Sequence, residues 1–501
     1  MDFSVEALRK IQTSYATASA GMHPSHTLPA KLKAVAEAGF KWTEIAFPDL
    51  ENYASSKFEG YRKIDISGAG DIDKLLESAK DIDLLCRQLG LGVLTVMPFS
   101  QFEGYEDDTK IEQGLKRARA WFKVLKALNC QMLQVGSSND PSISNSFDLM
   151  ARNLQDLADE ASAQDLPIRI AYEMWCWGTH VNTWEHTFDI CRRVNRPNFG
   201  LCLDTFQISA IHLAQEICLP GALKPSNVPP PATSFSESLV ELTRTLAPYT
   251  DRIFYLQISD GSRIEPHALA AEANEQGIHP LYAYSNAYRP LPFQNVSHPG
   301  FLPVLDVIRA VLATGWRGPW SYEVFYADDQ KQDDPEVPNR WTREAMSSHA
   351  RILAELDVFS DFDLGLHTSP SVIYREGISR RSYPIHYFDT IYAKIANKLH
   401  VFSSQSAYGL VGCKADTIIF PGRWGVSYIS RRIHSTRAGS PRLPKLLSTD
   451  HRITGLSSIV GLTMDAERCH PKSSLRMFCG KDGLIFLEVH IAVSIPESAH
   501  G

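Results

Sequence analysis

The first 360 residues alternate short apolar, β-branched runs with amphipathic stretches of helix length. Eight apolar runs follow one another, starting near residues 11, 41, 92, 130, 168, 199, 253 and 320. The intervening stretches, such as residues 111–129 and 147–164, have apolar residues at the three- and four-residue spacing of amphipathic helices. Eight strands that each precede a helix, in about 350 residues, predict an α/β fold of the (β/α)8 or TIM barrel type.

This pattern does not continue beyond about residue 357. Eighteen of the last 141 residues are serine, and the apolar runs there follow no repeat. We therefore predict a barrel over residues 1–357 and a C-terminal extension over residues 358–501. Two interpretations of the extension stay open, a small additional domain or a segment with little stable structure. Within the barrel, the proline-rich residues 220–235 predict a loop insertion on the catalytic face.

The distribution of charge and cysteine restricts the partners and the compartment. The last 141 residues contain 17 Lys and Arg against 11 Asp and Glu, which leaves 33 against 46 in the first 360. An acidic barrel disfavours nucleic acid as a partner, because that binding depends on neutralising phosphates. No run of 18 apolar residues and no signal-peptide pattern is present, so we expect no membrane span. Nine cysteines without CxxC pairs fit a reducing compartment, and we expect a cytosolic protein.

Polar residues close four successive strands of the predicted barrel. The fifth and sixth runs end in Glu173 and Asp204, and the seventh and eighth contain Gln257 and Glu323. In a parallel barrel these residues meet at one rim. One polar residue at a strand end is usually a rim residue or a helix cap, but four in succession favour a metal site. Three carboxylates and an amide oxygen suit a hard or borderline divalent cation, and we predict Mg²⁺ or Mn²⁺, with Co²⁺ as a further option.

The segment YEMWCWGTHVNTWEHTFDICRRVNRPNFGLCLDTFQI, residues 172–208, resembles the 3-dehydroshikimate dehydratases among the xylose-isomerase-like TIM barrels. The shared features are a Tyr-Glu pair, a Trp-Gly-Thr turn and a Cys-Leu-Asp-Thr-Phe segment. The resemblance extends over residues 1 to about 357. It implies that the four strand-end residues are metal ligands, and that 3-dehydroshikimate, a small carboxylate, is converted to protocatechuate and water.

A second matching segment, YSNAYRPLP at residues 284–292, implies that Ser285 and Arg289 contact the substrate. An arginine can bind a carboxylate through two parallel hydrogen bonds. After the third strand the chain departs from the family, because Ser100 stands where the dehydratases usually have arginine. His180, seven residues after Glu173, is a candidate proton shuttle, since histidine titrates near neutral pH.

Two other functions are compatible with the same residues. A sugar or sugar-phosphate isomerase or epimerase would use the same metal ligands, with Glu173 and Glu323 exchanging a proton and no need for Arg289. A non-catalytic barrel would serve binding or regulation and would hold no divalent ion. The sequence does not determine the oligomeric state.

Overall fold

A computed structural model of the chain describes residues 5–218 and 234–357, together with five strands between residues 413 and 491. Eight parallel strands close into a barrel, because the eighth strand pairs with both the seventh and the first. The strands are β1 (Thr13–Ala16), β2 (Trp42–Ala46), β3 (Gly92–Phe99), β4 (Met132–Gly136), β5 (Arg169–Glu173), β6 (Phe199–Asp204), β7 (Ile253–Ile258) and β8 (Trp320–Tyr322). Each of the eight apolar runs contains one strand, and the predicted TIM barrel is confirmed.

The helices lie between the strands and around the barrel. They are α1 (Val5–Leu8), α2 (Leu28–Glu37), α3 (Phe47–Lys57), α4 (Ile72–Leu89), α5 (Asp108–Ala127), α6 (Phe147–Ser162), α7 (Trp184–Val194), α8 (Thr205–His212), α9 (Ala214–Ile217), α10 (Phe235–Leu246), α11 (Pro266–Gln276), α12 (Pro280–Ala287), α13 (Val304–Ala313), α14 (Ala327–Gln330) and α15 (Val337–Asp357). Among the residues described, none of these helices is long and apolar enough to cross a membrane.

Local sequence signals set the ends of several helices. The Asp107 side chain accepts the Thr109 N–H at the start of α5, and Ser234 and Glu237 form a reciprocal capping box at the start of α10. At the end of α4, Gly90 takes a left-handed conformation with φ of 71°, which glycine adopts without steric cost. Of the predicted loop insertion at residues 220–235, residues 220–233 lie outside the described residues.

The barrel has two distinct apolar regions, and the period of two along each strand separates them. One face of the strands packs against the helices in the large core. The other face points into the barrel, where Ala171, Cys202 and Tyr255 pack together with Leu94 and Met132. Residues two positions further along β5, β6 and β7 share this inward face and lie at the carboxyl end of the barrel.

The C-terminal region is described only at its strands. Strands Cys413–Pro421 and Ser427–Ser435 pair antiparallel, and Ile459–Thr463, Ser473–Cys479 and Ile485–Ile491 form a three-stranded antiparallel sheet. The chain divides into two compact units, Met1–Glu376 and Gly377–Gly501. The domain boundary near residue 357 stays a prediction, and the remainder of residues 358–501 lies outside the described residues.

Candidate active site

Four strands place the predicted metal ligands at the same end of the barrel. Glu173 and Asp204 are the last residues of β5 and β6, and Gln257 on β7 is the direct register partner of Asp204. Glu323 follows β8, and its N–H donates to the Ile258 carbonyl at 3.3 Å. All four side chains are buried. The carboxyl end of a parallel barrel is where enzymes of this fold bind their substrates.

Glu173, Asp204 and Glu323 form what we call the acidic cup. Each offers a carboxylate oxygen, and these oxygens lie within 4.8 Å of one another. Burial is the main reason why the pKa of each carboxyl lies above its ordinary value, and for Glu323 the pKa is about 8. Three carboxylates this close together favour a bound cation, because their charges repel one another where water is excluded.

The two oxygens of Glu173 differ in their surroundings. Oε2 accepts hydrogen bonds from Gln134 on β4 and from the Trp175 indole N–H at 3.1 Å, whereas Oε1 is buried without a hydrogen-bond partner among the described residues. Gly136 allows the indole to lie here, because a Cβ at that position would come within 2.2 Å of the ring. A hard donor set with one buried, unpartnered carboxylate oxygen fits a divalent cation.

The Gln257 amide is held from both sides. Its Nε2 donates to both oxygens of Glu44 on β2, at 3.2 and 3.3 Å, and its Oε1 accepts from the Cys202 thiol at 3.4 Å. Tyr255 donates to the same Glu44 carboxylate at 2.9 Å. A carboxylate accepts and a thiol donates, so both neighbours favour the same orientation of the amide. Glu44 thereby helps to position Gln257.

Arg289 lies next to the acidic cup, completely buried. Its guanidinium pairs with Asp204 at 2.7 Å and with Glu323 at 3.0 Å. Burial lowers the pKa of Arg289, but the surrounding negative groups, Asp204 and Glu323 foremost, together raise it by more, so the group stays charged. Ser285 on α12 is also buried, and its hydroxyl accepts from the Arg289 Nη1 at 3.2 Å. The two predicted substrate contacts are therefore adjacent to each other and to the predicted metal ligands.

Within the described part of the chain, no hydrogen bond or ion pair joins His180 to the acidic cup. The imidazole is half-buried in the segment after β5, and its Nε2 lies 3.3 Å from the Ile143 carbonyl oxygen in the segment after β4. Its role as a proton shuttle stays a prediction.

The turn after β3 contains Ser100 in place of the expected arginine. A different arginine, Arg117 on α5, reaches this turn and donates to the backbone carbonyls of Ser100 and Gln101. Its guanidinium also lies 4.2 Å from the centre of the Phe99 ring. Arg117 is buried and bound to backbone atoms, so it stabilises the turn.

Three residues near the site were not predicted from the sequence. Glu44 is the single charged residue of β2 and Gln134 is the single polar side chain of β4, and Trp175 is one of several aromatic residues after β5. The Trp175 and Trp177 rings stack at 5.2 Å, and Trp177 stacks on Tyr282 at 4.8 Å. A polar side chain in a buried strand requires a partner, and this signal identifies Glu44 and Gln134.

Comparison with known proteins gives the following similarities. The chain is 28% identical over 337 residues to a 3-dehydroshikimate dehydratase from Neurospora crassa. The aligned region covers 66% of this chain and 90% of that protein. It is 29% identical over 320 residues to a 3-dehydroshikimate dehydratase from Pseudomonas aeruginosa, but this match spans only 38% of the bacterial protein.

One solved structure supports the fold. A xylose isomerase-like TIM barrel/4-hydroxyphenylpyruvate dioxygenase fusion protein superimposes with a TM-score of 0.51 at 23% identity, over 70% of this chain and 43% of that one. Residues 32–351 match the xylose isomerase-like TIM barrel family. This match spans more than half of the chain, and with the closed parallel barrel it shows that the protein belongs to the xylose isomerase-like TIM barrel family.

Proposed function

We propose that this protein is a divalent-metal-dependent 3-dehydroshikimate dehydratase, a carbon–oxygen lyase that forms protocatechuate and water. The observation that supports it most is the similarity to dehydratases, which extends over 90% of the Neurospora crassa enzyme. The acidic cup and the buried arginine beside it supply the two features that this substrate needs, a cation site and a carboxylate anchor. Activity in the cytosol stays a prediction.

The ligands of the proposed ion are Glu173, Asp204, Gln257 and Glu323. A divalent cation, with Mg²⁺ or Mn²⁺ as the first candidates and Co²⁺ as a third, would polarise the substrate ketone. Gln134 and Trp175 hold one oxygen of Glu173 in place and leave the other available. Glu44 holds the amide of Gln257. Such supporting hydrogen bonds orient metal ligands and are a large part of a metal site's affinity.

The remaining residues act on the substrate. Arg289, supported by Ser285, binds the ring carboxylate. His180 is the proposed general base, which takes a proton from the carbon next to the ketone and passes it to the β-hydroxyl, which leaves as water. Because a carbonyl only accepts, the His180 Nε2 donates in its contact with Ile143, and Nδ1 is then the basic nitrogen. The organic product has lost one water relative to the substrate, and a final proton shift makes the ring aromatic.

An absorbance assay tests this function. Purified protein with Mg²⁺ or Mn²⁺ should convert 3-dehydroshikimate to a product with aromatic ultraviolet absorbance. Glu323→Ala should abolish the conversion, and Glu336→Ala, at an exposed glutamate just before α15, should retain it. Failure to form aromatic product with any of the three metals would refute the dehydratase function. Conversion of sugars instead would favour the isomerase alternative, and failure to bind any of these ions would favour a non-catalytic barrel.

A further inference from the structure

The Arg289 guanidinium is surrounded by hydrogen-bond acceptors and carboxylates of the protein. Nε donates to the Ser259 hydroxyl at 3.1 Å, and Nη2 donates to the same hydroxyl at 2.8 Å and to Asp204 Oδ2 at 2.7 Å. Nη1 donates to the Ser285 hydroxyl at 3.2 Å and pairs with Glu323 Oε2 at 3.0 Å. A guanidinium has five N–H groups: four of them donate to these acceptors, and the fifth, on Nη1, lies beside Glu323 in the ion pair.

This arrangement conflicts with a simple role for Arg289 in substrate binding. A carboxylate ligand needs two N–H groups for a bidentate contact. Two of the five are directed to Asp204 and Glu323, which are also proposed metal ligands. The other oxygen of Asp204 accepts the Phe206 N–H at 2.7 Å, which leaves Asp204 no unshared oxygen. A cation in the acidic cup would therefore draw on an Asp204 oxygen that already accepts a hydrogen bond and on the Glu323 carboxylate that pairs with the guanidinium, so it competes with Arg289 for both carboxylates.

We propose that a divalent cation bound in the acidic cup releases Arg289 from Asp204 and Glu323, and that the two freed N–H groups then bind the carboxylate of the substrate. This inference depends on the proposed function. Ser259 and Ser285 keep their hydrogen bonds to Arg289, so the guanidinium stays beside the site while its partners change. Arg289 then binds the substrate carboxylate only when the metal is bound, so the two binding events are coupled.

Electrostatics gives the same direction of coupling. Three carboxylates and one guanidinium leave the ionised site with an excess of negative charge, which repels an anionic ligand. A divalent cation cancels this excess, and the repulsion disappears. Because coupling between two binding sites is reciprocal, a carboxylate ligand should tighten metal binding by the same factor as the metal tightens carboxylate binding.

Calorimetry on the full-length protein tests the coupling without catalysis. The two ligands are protocatechuate and catechol, which lacks only the carboxylate, and each is titrated in chelator and in saturating Mn²⁺. Catechol controls for any direct contact between the metal and the ring hydroxyls. With Mn²⁺ we expect protocatechuate to bind at least about tenfold more tightly than catechol, and in chelator we expect no preference. An equal preference in both conditions would overturn the proposal.

Two Arg289 variants distinguish the contribution of the guanidinium to carboxylate binding from the electrostatic attraction of the carboxylate by the cation. Arg289→Gln should lose at least about tenfold of the carboxylate preference in Mn²⁺, and Arg289→Lys, which keeps the charge without the fork, should lose part of it. The matched control is Arg196→Gln, at an arginine that pairs with Asp159 on the protein surface, and it should keep the full preference. Circular dichroism identifies any variant that fails to fold. A full preference in a folded Arg289 variant, of either kind, would overturn the proposal.

The result is independent of the dehydratase assay. Coupling in a protein that forms no aromatic product would support the inference and refute the proposed function. Aromatic product from a protein that shows no coupling would support the proposed function and refute the inference.

Discussion

Glu44 is the residue at which a single substitution should move stability and metal binding in opposite directions. Its carboxylate is completely buried in the barrel and accepts hydrogen bonds from Tyr255 and Gln257. Burial is the largest cause that raises the pKa of Glu44, from its ordinary value of 4.5 to about 7. Glu44→Gln keeps the shape of the side chain and removes its ionisation.

The size and the sign of the stability effect follow from this pKa. The native protein retains the Glu44 proton up to about pH 7, whereas the unfolded chain loses it near pH 4.5. Retaining this proton stabilises the native state by about 3 kcal/mol. The stabilisation is complete below the pKa of 4.5 in the unfolded chain, and it is lost as the pH rises through the pKa of about 7 in the folded protein. The variant has no such proton to lose, so between about pH 4.5 and pH 8 its stability should gain about 3 kcal/mol relative to that of the native protein.

Urea unfolding followed by tryptophan fluorescence measures this difference. Native protein and Glu44→Gln are compared across this pH range in chelator, because a bound ion adds its own stabilisation. A new amide beside the Gln257 Nε2 places one donor against another and costs about 1 kcal/mol at every pH, so only the change with pH tests the reasoning. A stability difference that does not vary with pH would refute it.

The same substitution should weaken metal binding. Above about pH 7, where Glu44 is ionised, its carboxylate accepts the Gln257 Nε2 and fixes the orientation of that amide, whereas a glutamine at position 44 permits both orientations. We expect an affinity for Mn²⁺ about tenfold lower, measured by calorimetry. The matched control is Glu103→Gln, at a buried glutamate whose recorded partners are Ser138 and Tyr172. Equal losses of affinity in both variants would show that the effect does not pass through Gln257.

Three further substitutions test individual residues of the proposed site. Glu173→Gln should weaken Mn²⁺ binding by about 100-fold, because it replaces a charged oxygen ligand, and unchanged affinity in calorimetry would contradict its role as a ligand. His180→Gln should lower kcat by at least about 100-fold if the imidazole is the general base, and a retained rate with unchanged pH profile would exclude that role. Ser100→Arg should lower the KM for 3-dehydroshikimate by about tenfold if this position contacts the substrate, whereas an unchanged KM would show that it does not.

Local patterns in the sequence were enough to predict the barrel and the strand ends. Short apolar runs and the three- to four-residue spacing of amphipathic helices are local properties, so they identified all eight barrel strands and helices such as α5 and α6. Parallel strands in a closed barrel have their carboxyl ends at one rim, which is why a strand-end rule brought Glu173, Asp204 and Glu323 to one place. Asp204 also caps α8 through its contact with the Phe206 N–H, so the structural and the proposed chemical roles coexist in one residue.

The pairing of polar groups inside the barrel depends on the closed fold. Asp204 and Arg289 are 85 positions apart in the chain, and Glu44 and Gln257 are 213 apart, yet both pairs are in direct contact. No local period encodes such contacts, because they arise where side chains from several barrel strands and from the short strand Tyr288–Arg289 converge after the barrel closes. The sequence therefore predicted Arg289 as a substrate contact, but in the folded protein Arg289 pairs with Asp204 and Glu323. The proposed coupling depends on replacing these two partners by the carboxylate of the substrate.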